Sequence, residues 1–117
     1  MKAIFKELLD TADVEGVLLV SFEGSVVFKA FSAAFPEQNV NGLIGPLITT
    51  MDKAREADVV FQRKRLYIRR TDNGFIMIFM GSFAPIAMVR LNCDMLLPQL
   101  SQGKKPKKRW GLFKKKN

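Results

Sequence analysis

Few side chains in this sequence could do covalent chemistry, and none stands in a pattern that would support it. There is no histidine, which removes the usual general base and the commonest nitrogen ligand for a metal. Cys93 is the single cysteine, too few for an intrachain disulfide or a thiolate metal site, and its place on an apolar helical stripe marks it as a small core residue. Ser21, Ser25, Ser32, Ser82 and Ser101 lack a nucleophile-elbow setting, and Gly42-Leu43-Ile44-Gly45 lacks the Gly-Lys-Ser/Thr ending of a phosphate loop. Asp10, Asp13 and Glu15 form one carboxylate group, and Asp52, Glu56 and Asp58 another; both read as solvated helix ends rather than acid–base pairs. The expectation is a protein that is not an enzyme and uses no cofactor or metal.

Basic side chains carry more information. Formal net charge is +8, from 19 basic and 11 acidic residues. Lys104, Lys105, Lys107, Lys108, Arg109, Lys114, Lys115 and Lys116 supply eight of the cations, so residues 1–102 balance at 11 of each sign. A neutral globular part is a poor reader of nucleic acid. Trp110, Leu112 and Phe113 sit between the two blocks of that basic tail. Grouped this way they could enter the interface of an anionic membrane, stack on the bases of a nucleic acid, or belong to a disordered solubilising end. Three large apolar side chains within four residues favour lipid over nucleic acid. Inside the domain, Arg63, Lys64, Arg65, Arg69 and Arg70 form the one basic concentration, read mainly as a solvated face or edge protection, with partner binding as the alternative.

The elements that would position these groups follow from hydrophobic periodicity. Ile4, Phe5, Leu8 and Leu9 predict a short helix over residues 3–11. Gly16 separates it from a buried strand, Val17 to Phe22, and Glu23-Gly24-Ser25 turns the chain into a second strand, Val26 to Phe31. Ser32 to Gln38 is a connection, and Asn39 suits the N-cap of a long helix over about residues 40–57, whose apolar positions are Val40, Leu43, Ile44, Leu47, Ile48, Met51 and Ala54. Pro46 either follows a kink near Gly42 or lies in the first regular turn. Strands follow at Val59 to Gln62 and Arg65 to Arg70; Thr71-Asp72-Asn73-Gly74 is a turn, and Phe75 to Met80 reads as a central strand. Pro85 opens a last helix with an apolar stripe of Ile86, Val89, Cys93, Leu96, Leu97 and Leu100, which Pro98 shortens or bends. Two segments result, a domain over 1–102 and a flexible tail over 103–117. The first seven residues do not form a signal peptide, and no apolar run approaches the roughly 18–20 residues that cross a bilayer. With the lone cysteine, this predicts a cytoplasmic protein, with the tail able to hold it peripherally at a membrane.

The order α-β-β-α-β-β-β-α places the chain in the α+β class. Over about residues 3–100 it resembles the Roadblock/LC7 family, through Asp13-Val14-Glu15-Gly16-Val17-Leu18-Leu19-Val20, the turn at Glu23-Gly24, and Ala87-Met88-Val89-Arg90-Leu91, which is similar to the closing helix of bacterial and archaeal members. Another profilin- or longin-like sheet domain would share the order. The resemblance implies a five-stranded antiparallel sheet between helices and a homodimer in which the strand after the long helix pairs with its twin. Here that strand supplies Val59, Val60, Phe61 and Gln62, with Leu47 and Met51 from the long helix completing the expected dimer interface. Leu43, Ile44 and Ile48 would face a small Ras-like GTPase, for which the dimer would act as scaffold or regulator. Ser21-Phe22 departs from the polar or acidic pair the family often has there, and Pro46 interrupts the expected partner platform. Elementary physics points to dimerisation as well, because an unpaired Val59-Val60-Phe61 edge is a liability normally covered. A structural or motor-linked adaptor, and a nucleic-acid-binding accessory protein acting through its tail, are the other functional classes this sequence fits.

Overall fold

The computed structural model describes residues 2–32 and 40–104. A 3-10 turn over Lys2–Phe5 leads into α1, Lys6–Asp10, followed by β1, Val14–Ser21, and β2, Val26–Phe31. α2 is Asn41–Met51; β3, β4 and β5 are Glu56–Phe61, Lys64–Arg70 and Gly74–Gly81; α3 is Ile86–Lys104. The strands form one antiparallel sheet in the order β2-β1-β5-β4-β3. No helix among the described residues is long and apolar enough to cross a membrane.

β5 explains the layering. All eight of its residues are buried, so both of its faces need cover. Alternation sends Phe75, Met77 and Phe79 to one side, where Leu18, Val20, Leu66 and Ile68 join them under Val40, Ile44 and Met51 of the α2 segment. Ile76, Ile78 and Met80 point the other way, with Val17, Leu19 and Tyr67, beneath Phe5 and Leu8 of the N-terminal helix and Val89, Cys93, Leu96 and Leu100 of α3. The result is three layers: α1 and α3, the sheet, then α2.

Several boundaries differ from the sequence reading, each for a local reason. β1 begins at Val14, so Gly16 lies inside the strand rather than before it; a Cβ at Gly16 would overlap the Phe31 ring. The β1–β5 register shifts between Val14 and Gly16, a bulge that absorbs the extra residue. α2 stops at Met51, six residues short of expectation, because Asp52 takes a positive φ of 43° and breaks the run. Its 11 residues run roughly 16 Å, and Ala54 lies outside it. Pro46 sits in the second turn, not the first, and the helix continues through it. Pro46 has no N–H to donate to the Gly42 carbonyl one turn back, and Gly42 is exposed, so water can take that donor's place. Pro98 likewise does not shorten α3, which stays helical to Lys104 and so takes in Gly103, the residue placed at the start of the tail. Asn39 and residues 105–117 lie outside the described residues.

The turn between β3 and β4 is the least anticipated feature. Phe61 pairs with Lys64, leaving Gln62-Arg63 as a two-residue loop, and both have positive φ, 46° and 66°. That is the conformation of a type I′ hairpin, which normally uses Asn-Gly. Gln62 is therefore a turn residue and the strand ends at Phe61, correcting the expected Val59–Gln62 span. Gly24, with φ 95°, occupies the turn assigned to it.

Two stability outcomes follow from this backbone. At Gly74 an added Cβ would overlap the backbone carbonyl of Val20 on the neighbouring strand, which cannot step aside. Gly74→Ala should cost roughly 3 kcal/mol in urea unfolding. The double change Gln62→Asn/Arg63→Gly should instead raise stability by about 1–2 kcal/mol, because it relieves two left-handed residues with side chains.

Candidate functional site

The residues expected at partner surfaces fall into three groups. β3 is an outer strand of the sheet, hydrogen-bonded on one side to β4. Val59 and Val60 are exposed, Val60 by 61%. Val59 lies across from Leu66 and so leans to the α2 side, while Val60 lies across from Arg65 on the α3 side. On α2, Leu43 is exposed and Leu47 and Ile48 are half-buried. Met51, 2% exposed, and Ile44 are taken up by the protomer's own core. Residues this deeply packed offer little surface within the protomer as described. Of the tail residues, Lys105, Lys107, Lys108, Arg109, Trp110, Leu112, Phe113, Lys114, Lys115 and Lys116 lie outside the described residues, and Lys104 is described only as the last residue of α3.

A polar clasp that sequence reasoning missed ties the β3 edge to α3. Tyr67, on the inward face of β4, donates its hydroxyl to Glu56 Oε1, and Arg90 of α3 donates to Glu56 Oε2 at 2.9 Å. Arg69, expected to be solvated, is only 8% exposed; it donates to the Tyr67 hydroxyl at 3.1 Å and forms an ion pair with Asp94 of α3. Arg55, Glu56, Arg69, Arg90 and Asp94 line a cleft of about 240 Å³. Within it Glu56 pairs with Arg90 and Asp94 with Arg69, contacts that hold α3 to the sheet edge. The alternation of Arg65, Tyr67 and Arg69 placed this set on one strand face; the α3 partners four residues apart, Arg90 and Asp94, were the missed signal.

Several carboxylates have structural partners, while Asp10 and Asp52 stand exposed at the ends of α1 and α2 as expected. Lys6 pairs with Asp10 at 2.6 Å, Lys64 with Glu15 at 2.7 Å, and Arg65 with Asp58 at 3.0 Å. Asp13 accepts the Phe83 backbone N–H at 2.9 Å and, through its carbonyl, that of Gly81. Arg70 is not a free surface cation either. It donates to the carbonyls of Asp52 and Ala54 beyond α2, and its guanidinium stands over the rings of Phe22 and Phe75 at 5.4 and 5.1 Å. Phe22, which meets Phe75 edge-on, thus has a packing reason to stand where a polar residue is usual in the family it resembles. Among the described residues no group of three His, Cys, Asp or Glu side chains stands close enough to hold a metal ion.

The clasp also sets the ionisation of its members. Burial, reinforced by the bond to Glu56, pushes the Tyr67 hydroxyl up to about 12. The same bond, aided by the charges of Arg90 and Arg69, holds Glu56 below the usual carboxylate range against a smaller effect of burial. Burial pushes the Cys93 thiol up to about 12, which keeps it protonated and unreactive.

Comparison with known proteins now has a geometry to refer to. The sequence matches no protein-family model and no curated protein. Solved structures do match its shape. MglB of Myxococcus xanthus superposes with a TM-score of 0.68 at 13% identity, covering 86% of this chain and 87% of that one. A Roadblock/LC7 domain from Streptomyces avermitilis gives 0.63 at 14%, covering 87% and 92%. An MglB solved in a tetrameric arrangement gives 0.62 at 16%, covering 86% and 82%. At such identities the likeness is one of fold: this chain has the Roadblock/LC7 fold.

Tyr67 is the only tyrosine, so its titration can be read directly. Phenolate absorbance should rise near pH 12 rather than 10. Because the folded value lies above the unfolded one, the stabilisation is fully present below about pH 10 and is lost as pH climbs through 12. Glu56→Gln should bring the midpoint down toward 10.

Proposed function

We infer that two copies of this chain pair through their β3 edges, and that the dimer is a non-enzymatic scaffold or regulator for a small Ras-like GTPase. The observation that carries the reading is the outer strand β3. It ends the sheet with Val59 and Val60 open to solvent, and among the described residues it pairs only with β4. Such an edge is normally charged, covered or paired. Glu56 and Asp58 are engaged by Tyr67, Arg90 and Arg65, so their charge is answered within the protomer beside the exposed Val59 and Val60. The tetrameric arrangement of one MglB of the same fold is a further support for self-assembly.

The same geometry supports α2 as the partner platform. Its outward side carries Leu43, Gly42, Gly45, Pro46, Thr49 and Thr50, with no charged side chain, and so lets another backbone come close. Leu43 and the half-buried Leu47 and Ile48 supply apolar area. A GTPase bound there would contact the dimer on the face opposite α3.

Light scattering of the purified chain at micromolar concentration should give the mass of a dimer. Val60→Lys, a change that protects an edge without entering the core, should weaken self-association about tenfold or more while leaving circular dichroism unchanged. Leu43→Asp should leave the dimer mass intact and abolish capture of a GTP-binding protein from the native cell. A protomer mass for the unaltered chain at every concentration would end this reading.

A further inference from the structure

Charge in this chain is divided by position. Residues 1–72 hold ten basic and ten acidic side chains, whereas residues 73–117 hold nine basic side chains and one carboxylate, Asp94. The whole net charge of +8 therefore belongs to the stretch from β5 onward. β5 is buried and carries no charged side chain, so the excess lies in α3 and the 13 residues that follow it.

α3 is unusual on its outward side. It buries Val89, Cys93, Leu96 and Leu100 against the sheet, and a helix so placed normally turns polar residues to solvent. Instead it exposes Met88, Leu91 and Met95, at three- and four-residue spacing, with Met95 63% exposed. Phe83, 90% exposed, stands in the turn before the helix. The one carboxylate of α3, Asp94, is already paired with Arg69. Next to this apolar stripe, then, no free anion stands on the helix, and a run of cations follows it in sequence.

We propose that the outer face of α3 docks on an anionic lipid bilayer, with Met88, Leu91 and Met95 entering the interface. Apolar side chains gain by leaving water for acyl chains, and cations gain beside an anionic leaflet; a surface-lying helix needs both. A nucleic acid would satisfy the cations but not the stripe, which has neither hydrogen-bond donors nor rings to stack on bases. A second copy of this chain would bring the same net charge of +8 against the first. Docking through α3 is independent of the proposed assembly. α2 lies on the other side of the sheet and stays turned to solution.

The test is sedimentation of the full chain with vesicles of phosphatidylcholine alone, or of three parts phosphatidylcholine to one part phosphatidylserine, at low salt. Binding is expected to the mixed vesicles and not to the neutral ones. Met88→Ser/Leu91→Ser/Met95→Ser should lower the affinity about tenfold or more, with circular dichroism unchanged. Should that variant unfold, Met95→Ser alone, at the most exposed of the three positions, should still lower it a few-fold. A chain in which Trp110, Leu112 and Phe113 are all serine should keep a measurable loss on removal of the stripe. Unchanged affinity in the stripe variants would overturn the proposal, as would equal binding to neutral vesicles. Tighter binding to random duplex DNA than to the mixed vesicles at the same salt would overturn it in favour of nucleic acid.

Discussion

The rest of the structure depends on the burial of β5 on both faces. A strand with eight buried residues has no solvent side, so helices must close over it from above and below. α1 and α3 share one side and α2 takes the other, because the alternation of β1 and β5 divides their aliphatic and aromatic residues into two cores. The functional layout follows. A surface on α2 and a surface on α3 are separated by the full thickness of the sheet, and the open β3 edge lies between them. None of the three overlaps another.

The clasp of Tyr67, Glu56, Arg69, Asp94 and Arg90 gives that layout its stiffness at the edge. Its ion pairs are mostly half-exposed and individually weak. Their geometry matters more than their strength. They fix the start of β3 to the middle of α3, so that the edge strand is held at both its β4 side and its helix side. An edge held in one shape can present the same two valines each time, whereas a fraying edge would present an ensemble.

Most of the fold was legible in the sequence. Phe75 to Met80 announced the central strand by an unbroken apolar run, and the stripe from Ile86 to Leu100 announced the helix that covers it. The failures have physical causes. α2 was read too long because Ala54 kept the helical period after Asp52 had already turned the backbone the other way. The Gln62-Arg63 turn carried none of the residues that usually signal it. Tertiary pairing between β3 and β4 imposes that conformation against local preference. Pattern alone put Val59, Val60 and Leu43 on the outside, and they are exposed. The burial of Met51 and Ile44 was not legible, because a helical stripe shows which side is apolar but not how far down that side the protein's own core reaches. Arg69 was misread for the converse reason: its partner Asp94 is 25 residues away, and no local signal links them.

The β1–β5 ladder has a kinetic meaning. β1–β2 and β3–β4–β5 can each form from neighbours in sequence, but the sheet becomes whole only when Ser21 meets Gly74 across roughly fifty residues of intervening chain. That closure must come before the two cores can seal, so it is a natural bottleneck in the order of folding events.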